Sequence, residues 1–185
     1  MIETTLKETE SKMKRAVEVV RHDLDSLRTG RASIHMLDTV RVPLYGTDNP
    51  VNQIATVSTP DAHTIMIQPW DKGALGAIEK AILQANIGLT PSNDGQVVRL
   101  NIPPMTEETR KEMVKRAHHI AEEGRVAIRN LRRTANDDVK KAEKSQGLSE
   151  DEGKRLLDRV QKMTDAHIKQ IDDLLAVKEK EILTV

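Results

Sequence analysis

Aromatic side chains are almost missing from this chain: Trp70 and Tyr45 stand alone among 185 residues, and there is no phenylalanine. Burial must therefore rest on Leu, Ile, Val, Met and Ala, which suits thin helix bundles with close interaxial packing. The same lack excludes a stacking platform for splayed single-stranded bases. Cysteine is absent too, so no disulfide, thiolate metal site or cysteine nucleophile can exist, as in a reducing compartment. No apolar run approaches the roughly 20 residues needed to cross a bilayer. Glu3, Glu8 and Glu10 near the start argue against a secretory signal or an acid-poor transit peptide, so a cytoplasmic protein is expected. Lys+Arg and Asp+Glu balance at 29 each, which leaves no overall pull toward nucleic acid or membrane.

Motifs for chemistry are missing as well. There is no phosphate-cradling glycine loop of the Walker type and no Gly-x-Ser-x-Gly elbow. Among six histidines only the adjacent His118 and His119 have a carboxylate four residues on along a helix, Glu122 and Glu123, and no Glu-x-x-His occurs as a di-metal bundle would need. The chain reads as no enzyme, with no metal and no cofactor.

What is present is heptad spacing in three stretches. Leu6, Met13, Val17, Val20, Leu24 and Leu27 mark a first helix over 5–28, with Thr5 and Glu8 spaced as a capping box and Gly30 placed to close it. Val114, Ala117, Ala121, Gly124, Ile128, Leu131 and Ala135 mark a second over 106–144, opened by Thr106 with Glu107 and Glu108. After a break at Gln146-Gly147, Ser149 and Glu152 form a capping box for a third over 150–183, whose stripe is Leu157, Val160, Thr164, Ile168, Ile171, Leu175 and Ile182. Three matched stripes predict one bundle, with Leu24, Ile128, Leu131 and Ile171 in its core. At about 1.5 Å per residue the helices run roughly 35 to 60 Å, so the bundle is expected to be elongated.

Between the first and second helices the period changes to alternation. Val40, Val42 and Leu44, interrupted by Pro43, suggest an edge strand. Tyr45 to Pro50 reads as a turn-rich break. Strands are expected at 54–58 and 64–68, then a short helix on Leu75, Ile78, Ile82 and Ala85. A hairpin-type turn at Ser92-Asn93-Asp94-Gly95 precedes a last strand through Val98, Leu100 and Ile102. The fold class is α+β: a three-helix bundle of residues 1–29 and 105–185 with a small β/α/β domain, 30–104, inserted. Two crossings join them, at Thr29-Gly30 and Pro103-Pro104, and these four residues are the expected hinge. The insert carries five basic and six acidic residues, which fits a protein partner better than nucleic acid.

Basic charge is concentrated on the second helix. From Arg110 to Lys141 there are ten Lys+Arg against five Asp+Glu, and six of the ten are arginines. Arg125, Arg129, Arg132, Arg133, Asn136 and Lys140 recur three, four and seven apart beside the apolar stripe, and no carboxylate lies between Gly124 and Asn136. The planar forks of arginine match phosphate oxygens, so this exposed face is expected to meet the backbone of a folded RNA through phosphate and shape. A solvated helix face, as in a non-catalytic helical-bundle adaptor, is the alternative, separated by whether a pull-down yields RNA or only a protein. A metalloprotein or hydrolase of the bundle type is a further alternative, separated by metal analysis.

Arg28-Thr29-Gly30-Arg31-Ala32-Ser33, Tyr45-Gly46-Thr47, Pro103-Pro104-Met105-Thr106-Glu107-Glu108 and the run from Arg125 to Arg133 with Ala135-Asn136-Asp137 together resemble the bacterial ribosome recycling factor family, over essentially the whole length. Thr134 departs from the acidic residue of that pattern, and Asp48-Asn49 from its Thr-Pro turn. The resemblance implies an L-shaped, tRNA-sized, non-catalytic protein. It implies action after termination with elongation factor G and GTP hydrolysis by that partner, splitting the ribosome into subunits and releasing mRNA and tRNA. It further implies that the helical domain lies on ribosomal RNA of the large ribosomal subunit. Arg129 and Arg132 match the contacting positions, with Arg28, Arg31, Arg110 and Arg133 as further candidates beside Arg125 of the ladder. A monomer, away from membranes, is expected.

Overall fold

The computed structural model describes residues 1–184. The chain packs as two compact units, 1–28 with 107–184, and 29–106.

In the first unit, α1 (Ile2–Asp25), α3 (Glu107–Ser145) and α4 (Glu150–Leu183) pack side by side. Glu3 pairs with Arg159 and Asp25 with Lys178, so α1 and α4 run the same way. Arg125 meets Asp172 while Arg132 meets Gln161, so α3 runs against α4. Leu6 clusters with Ala135, Val139 and Val160 near one end. Further along, Gly124 faces both other helices: a Cβ built there would overlap Val20 Cγ2 and stand 3.1 Å from Ile171 Cδ1. All three helices converge on a residue without a side chain.

Several expectations are corrected at element ends. α1 begins at Ile2, not Thr5; Met1 occupies the cap position without a side-chain bond, and Thr5, a turn inside, donates its hydroxyl to the Met1 carbonyl at 3.4 Å. The first turn is held by its bridge from Glu3 to α4 rather than by a capping box. The helix ends at Asp25, with Ser26 N–H on His22 O and Ser26 Oγ on Asp23 O. Gly30 does take φ +76°, but it bends the chain five residues after the helix has stopped. α4 does open on the Ser149–Glu152 capping box: Ser149 Oγ accepts from Glu152 N–H at 3.2 Å and Ser149 N–H donates to Glu152 Oε2 at 2.9 Å.

The stripes also shift. On α3 the buried residues are Met113, Ala117, Ala121, Gly124, Ile128, Ala135, Val139 and Ala142, while Val114 and Leu131 are only half-buried. On α4 they are Gly153, Val160, Thr164, His167, Ile171, Leu175, Lys178 and Ile182, with Leu157 and Ile168 at the margin. A polar side chain is accepted inside where it is satisfied: His167 Nδ1 bonds the Met163 carbonyl at 2.7 Å, and Lys178 pairs with Glu181 at 3.0 Å. Hydropathy spacing cannot anticipate either.

The second unit holds two antiparallel sheets and one helix. β1 (Arg41–Leu44) pairs with β2 (Thr47–Pro50), so the expected break at 45–50 is in fact a hairpin. Its two-residue turn is Tyr45-Gly46, at φ +54° and +77°, the geometry of a type I′ turn. Asn49 Nδ2 donates to the Leu44 and Thr47 carbonyls, and Tyr45 donates its hydroxyl to Asp71. These side-chain bonds steady a turn that tyrosine does not favour. β3 (Ala55–Asp61), β4 (Thr64–Pro69), β6 (Val98–Asn101) and β5 (Pro91–Asn93) form the second sheet in that order, with α2 (Leu75–Ala85) preceding β5. The strand β5 is an addition to the expected elements; two of its three residues, Ser92 and Asn93, fall in the Ser92–Gly95 stretch expected as pure turn. Ile65, Ile67, Val98 and Leu100 of the sheet and Ile78 and Ile82 of α2 are fully buried in one aliphatic core. Both aromatics lie outside it, Tyr45 at 77% and Trp70 at 67% exposure.

Candidate nucleic-acid interface

The arginines of α3 sit along its seam with α4. Arg125 and Arg132 reach α4 there, each three or four residues from two of the buried Ala121, Ile128 and Ala135, while Arg129 and Arg133 lie further out on the same side. They divide into two groups. Arg125, only 21% exposed, gives Nε and Nη2 to Asp172 Oδ1 at 2.8 and 2.6 Å and Nη1 to Glu122 Oε2 at 3.1 Å. Burial opposes its charge, but the bonds to Asp172 and Glu122 outweigh that and leave it more firmly protonated than an ordinary arginine. It is a bolt between α3 and α4.

Arg129 and Arg132 keep part of their forks open. Arg129 donates Nη2 to Glu122 Oε1, which leaves Nε and Nη1 for another acceptor. Glu122 thus lies between two guanidinium groups, and their hydrogen bonds hold its carboxyl below the usual carboxylate range, that from Arg125 first. Arg132 lays its stem on α4, gives Nη1 to Gln161 Oε1 at 3.3 Å, and has a buried Nε with no partner. Gln161 is itself oriented by donating to Asp165 at 2.8 Å. Arg133, one residue on, is exposed with no hydrogen bond or ion pair among the described residues. The expectation of an uncompensated ladder is therefore corrected: Glu122 from one turn earlier and Asp172 from the neighbouring helix neutralise its first rungs. A window ending at Gly124 could not include them.

Known proteins resemble this chain along its whole length. The family model described as "Ribosome recycling factor" matches residues 20–183. The ribosome-recycling factor of Carboxydothermus hydrogenoformans is 56% identical over 185 residues, all of both chains. That of Thermosynechococcus vestitus is 57% identical over 180 residues, 97% of this chain and 99% of the other. A solution structure of the ribosome recycling factor superposes with TM-score 0.82 at 44% identity, covering 100% of this chain and 98% of that one. This chain belongs to the ribosome recycling factor family. A second solved relative, the T. thermophilus ribosome recycling factor bound with E. coli elongation factor G to the E. coli post-termination complex, gives TM-score 0.68 at 50% identity, covering 99% of each chain.

Membership makes this protein a non-catalytic translation factor. The remaining recycling-factor candidates lie elsewhere. Arg110 sits at the start of α3, half-buried, its Nε without a partner; Arg28 and Arg31 are exposed on the segment after α1. The four expected hinge residues flank a single turn of the second unit, between β3 and β4. The His63 ring bonds the Gly30 carbonyl at 3.1 Å, Ala32 N–H donates to Ala62 O at 2.7 Å, and Ile102 N–H donates to His63 O at 2.8 Å. Asp61, which accepts from His63 N–H at 2.8 Å, is held below the usual range chiefly by that bond and shapes the turn. Thr29 accepts from Arg31 N–H at 3.4 Å, and Pro103 and Pro104 are exposed. The role of His63 is not legible in the sequence, since its partners are 33 and more residues away. No helix among the described residues is long and apolar enough to cross a membrane, and none of their acidic, histidine or cysteine side chains cluster to hold a metal.

Proposed function

We propose that this protein binds the post-termination ribosome and, with elongation factor G and GTP hydrolysis by that factor, promotes its separation into subunits, freeing mRNA and tRNA. It does so in the cytoplasm, as a monomer and without a cofactor. The observation that carries the reading is the open part of the arginine face in a chain of this family: Arg129, Arg132 and Arg133 hold donors that no other described residue uses. Phosphates of ribosomal RNA on the large subunit are the acceptors that fit planar forks held on a rigid helix. Arg110, Arg28 and Arg31 add charge, whereas Arg125 serves the fold.

The bundle, 1–29 with 105–185, is then the RNA-facing part, and the insert 30–104 meets the GTPase. Exposed Tyr45 and Trp70 suit a protein partner, because aromatic rings bury large area at low entropic cost. Thr29-Gly30 and Pro103-Pro104 act as the hinge. Purified protein, elongation factor G and GTP should convert post-termination ribosomes to subunits, read by light scattering. Splitting that proceeds equally without this protein would defeat the proposal.

A further inference from the structure

We infer that Glu122 is a positioning residue for the RNA contact: by clamping Arg129 it presents the rest of that fork in one fixed orientation, so that only an acceptor in a preset place is bound well. The inference rests on the proposed RNA-facing role of α3 and deepens it by naming what sets its selectivity.

Glu122 lies three residues before Arg125 and seven before Arg129, one and two turns along the same face of α3. Each of its oxygens is committed to a different arginine: Oε2 accepts from Arg125 Nη1 at 3.1 Å and Oε1 from Arg129 Nη2. Arg125 is in turn fixed to α4 through Asp172 at 2.6 and 2.8 Å. The chain of contacts Asp172, Arg125, Glu122, Arg129 therefore ties a half-exposed guanidinium back to the bundle. The Arg129 side chain is 37% exposed; with Nη2 held by Glu122, the N–H groups of Nε and Nη1, which point to different sides of the guanidinium, remain to bond phosphate oxygens.

Two effects of the carboxylate oppose each other. Its charge repels any polyanion, and its hydrogen bond spares the ordering cost of a long side chain when RNA binds. For a rigid RNA surface whose phosphates already stand where Arg129 points, the second effect wins. For a flexible single strand, which adapts to any orientation of the fork, only repulsion is felt. Glu122 thus lowers affinity for loose RNA while raising it for the folded target. Its neighbour Glu123 faces elsewhere, paired with His119 at 3.1 Å, and is the matched control.

The test compares binding to large ribosomal subunits with binding to polyuridylate in the same buffer. Ordering one rotamer-rich side chain corresponds to about three- to tenfold in affinity. Glu122→Ala should weaken subunit binding by about that factor and strengthen polyuridylate binding, so the two affinities move in opposite directions. Glu122→Gln, which keeps an acceptor oxygen, should recover part of the subunit affinity, and Glu123→Ala should leave the ratio as in the parent. Far-ultraviolet dichroism checks that each variant is folded; a general loss of structure would weaken both ligands together. If Glu122→Ala binds subunits as well as or better than the parent, or if both affinities shift by one factor, the inference fails. Arg132→Ala is run alongside: if it too leaves subunit binding unchanged, the arginine reading itself has failed, whereas if it weakens binding and Glu122→Ala does not, only the clamp is wrong.

Discussion

Two glycines show how the same side-chain addition acts with opposite sign. Gly124 stands where α1, α3 and α4 meet, and a Cβ there would overlap Val20 Cγ2, a methyl of a stiff β-branched side chain. Overpacking of this kind costs about 1 to 3 kcal/mol and outweighs the roughly 1 kcal/mol of helix propensity gained over glycine. Gly76 in α2 has nothing within 4 Å of its Cβ position, so Gly76→Ala should stabilise by about 0.5 to 1 kcal/mol. Urea unfolding midpoints should move down for Gly124→Ala and up for Gly76→Ala. Arg132 belongs among these single residues as well. Arg132→Ala should weaken large-subunit binding about ten- to a hundredfold, as expected for losing a charge-assisted bond of about 1.5 to 3 kcal/mol. Arg132→Lys keeps the charge but loses the fork, so it should stay impaired, and Lys154→Ala on α4 should bind like the parent; co-sedimentation over a salt series reads all three.

For the helices, the burial of α3 decides which truncations matter. Ile128 is fully buried and Leu131 only half-buried, so Ile128→Ala should cost about 2 to 5 kcal/mol and Leu131→Ala clearly less. Equal losses in denaturant unfolding would restore the heptad reading. At the start of α4 the capping box gives a pH signature. Glu152 is held below the usual carboxylate range by bonds from the Ser149 backbone and hydroxyl. A depressed carboxyl contributes stability above its unfolded value, near pH 4, and that contribution is lost as the pH falls through the lower folded value. Ser149→Ala should cost about 0.5 to 2 kcal/mol near neutral pH, and its deficit should shrink below about pH 4, where the parent loses the same interaction. A deficit constant from pH 7 to pH 3 would contradict this.

Across the whole chain, the two units have separate aliphatic cores and are linked by two short stretches, at 28–29 and 106–107. If Thr29-Gly30 and Pro103-Pro104 act as hinges, residual dipolar couplings from each unit should fit internally and demand different alignment tensors. One tensor serving both would mean that the crossings are rigid.

Much of this was written in the amino acids. Repeating apolar positions announced three helices, alternation announced the insert, Ser149 with Glu152 announced the start of α4, and arginine spacing announced the charged face of α3. These are local signals, resolved within one or two turns of chain. What escaped depends on residues distant in sequence. Glu3 reaches Arg159, so α1 starts earlier than its capping pattern suggests. Tyr45 leans on Asp71, so an apparent break becomes a hairpin. His167 and Lys178 are buried because their polar atoms find partners, and Gly124 is small because two other helices cross there. The division of the arginines followed the same logic. Their number and spacing lie in one helix, but which of them remain open depends on Asp172 and Gln161, supplied by a helix that packing alone brings alongside.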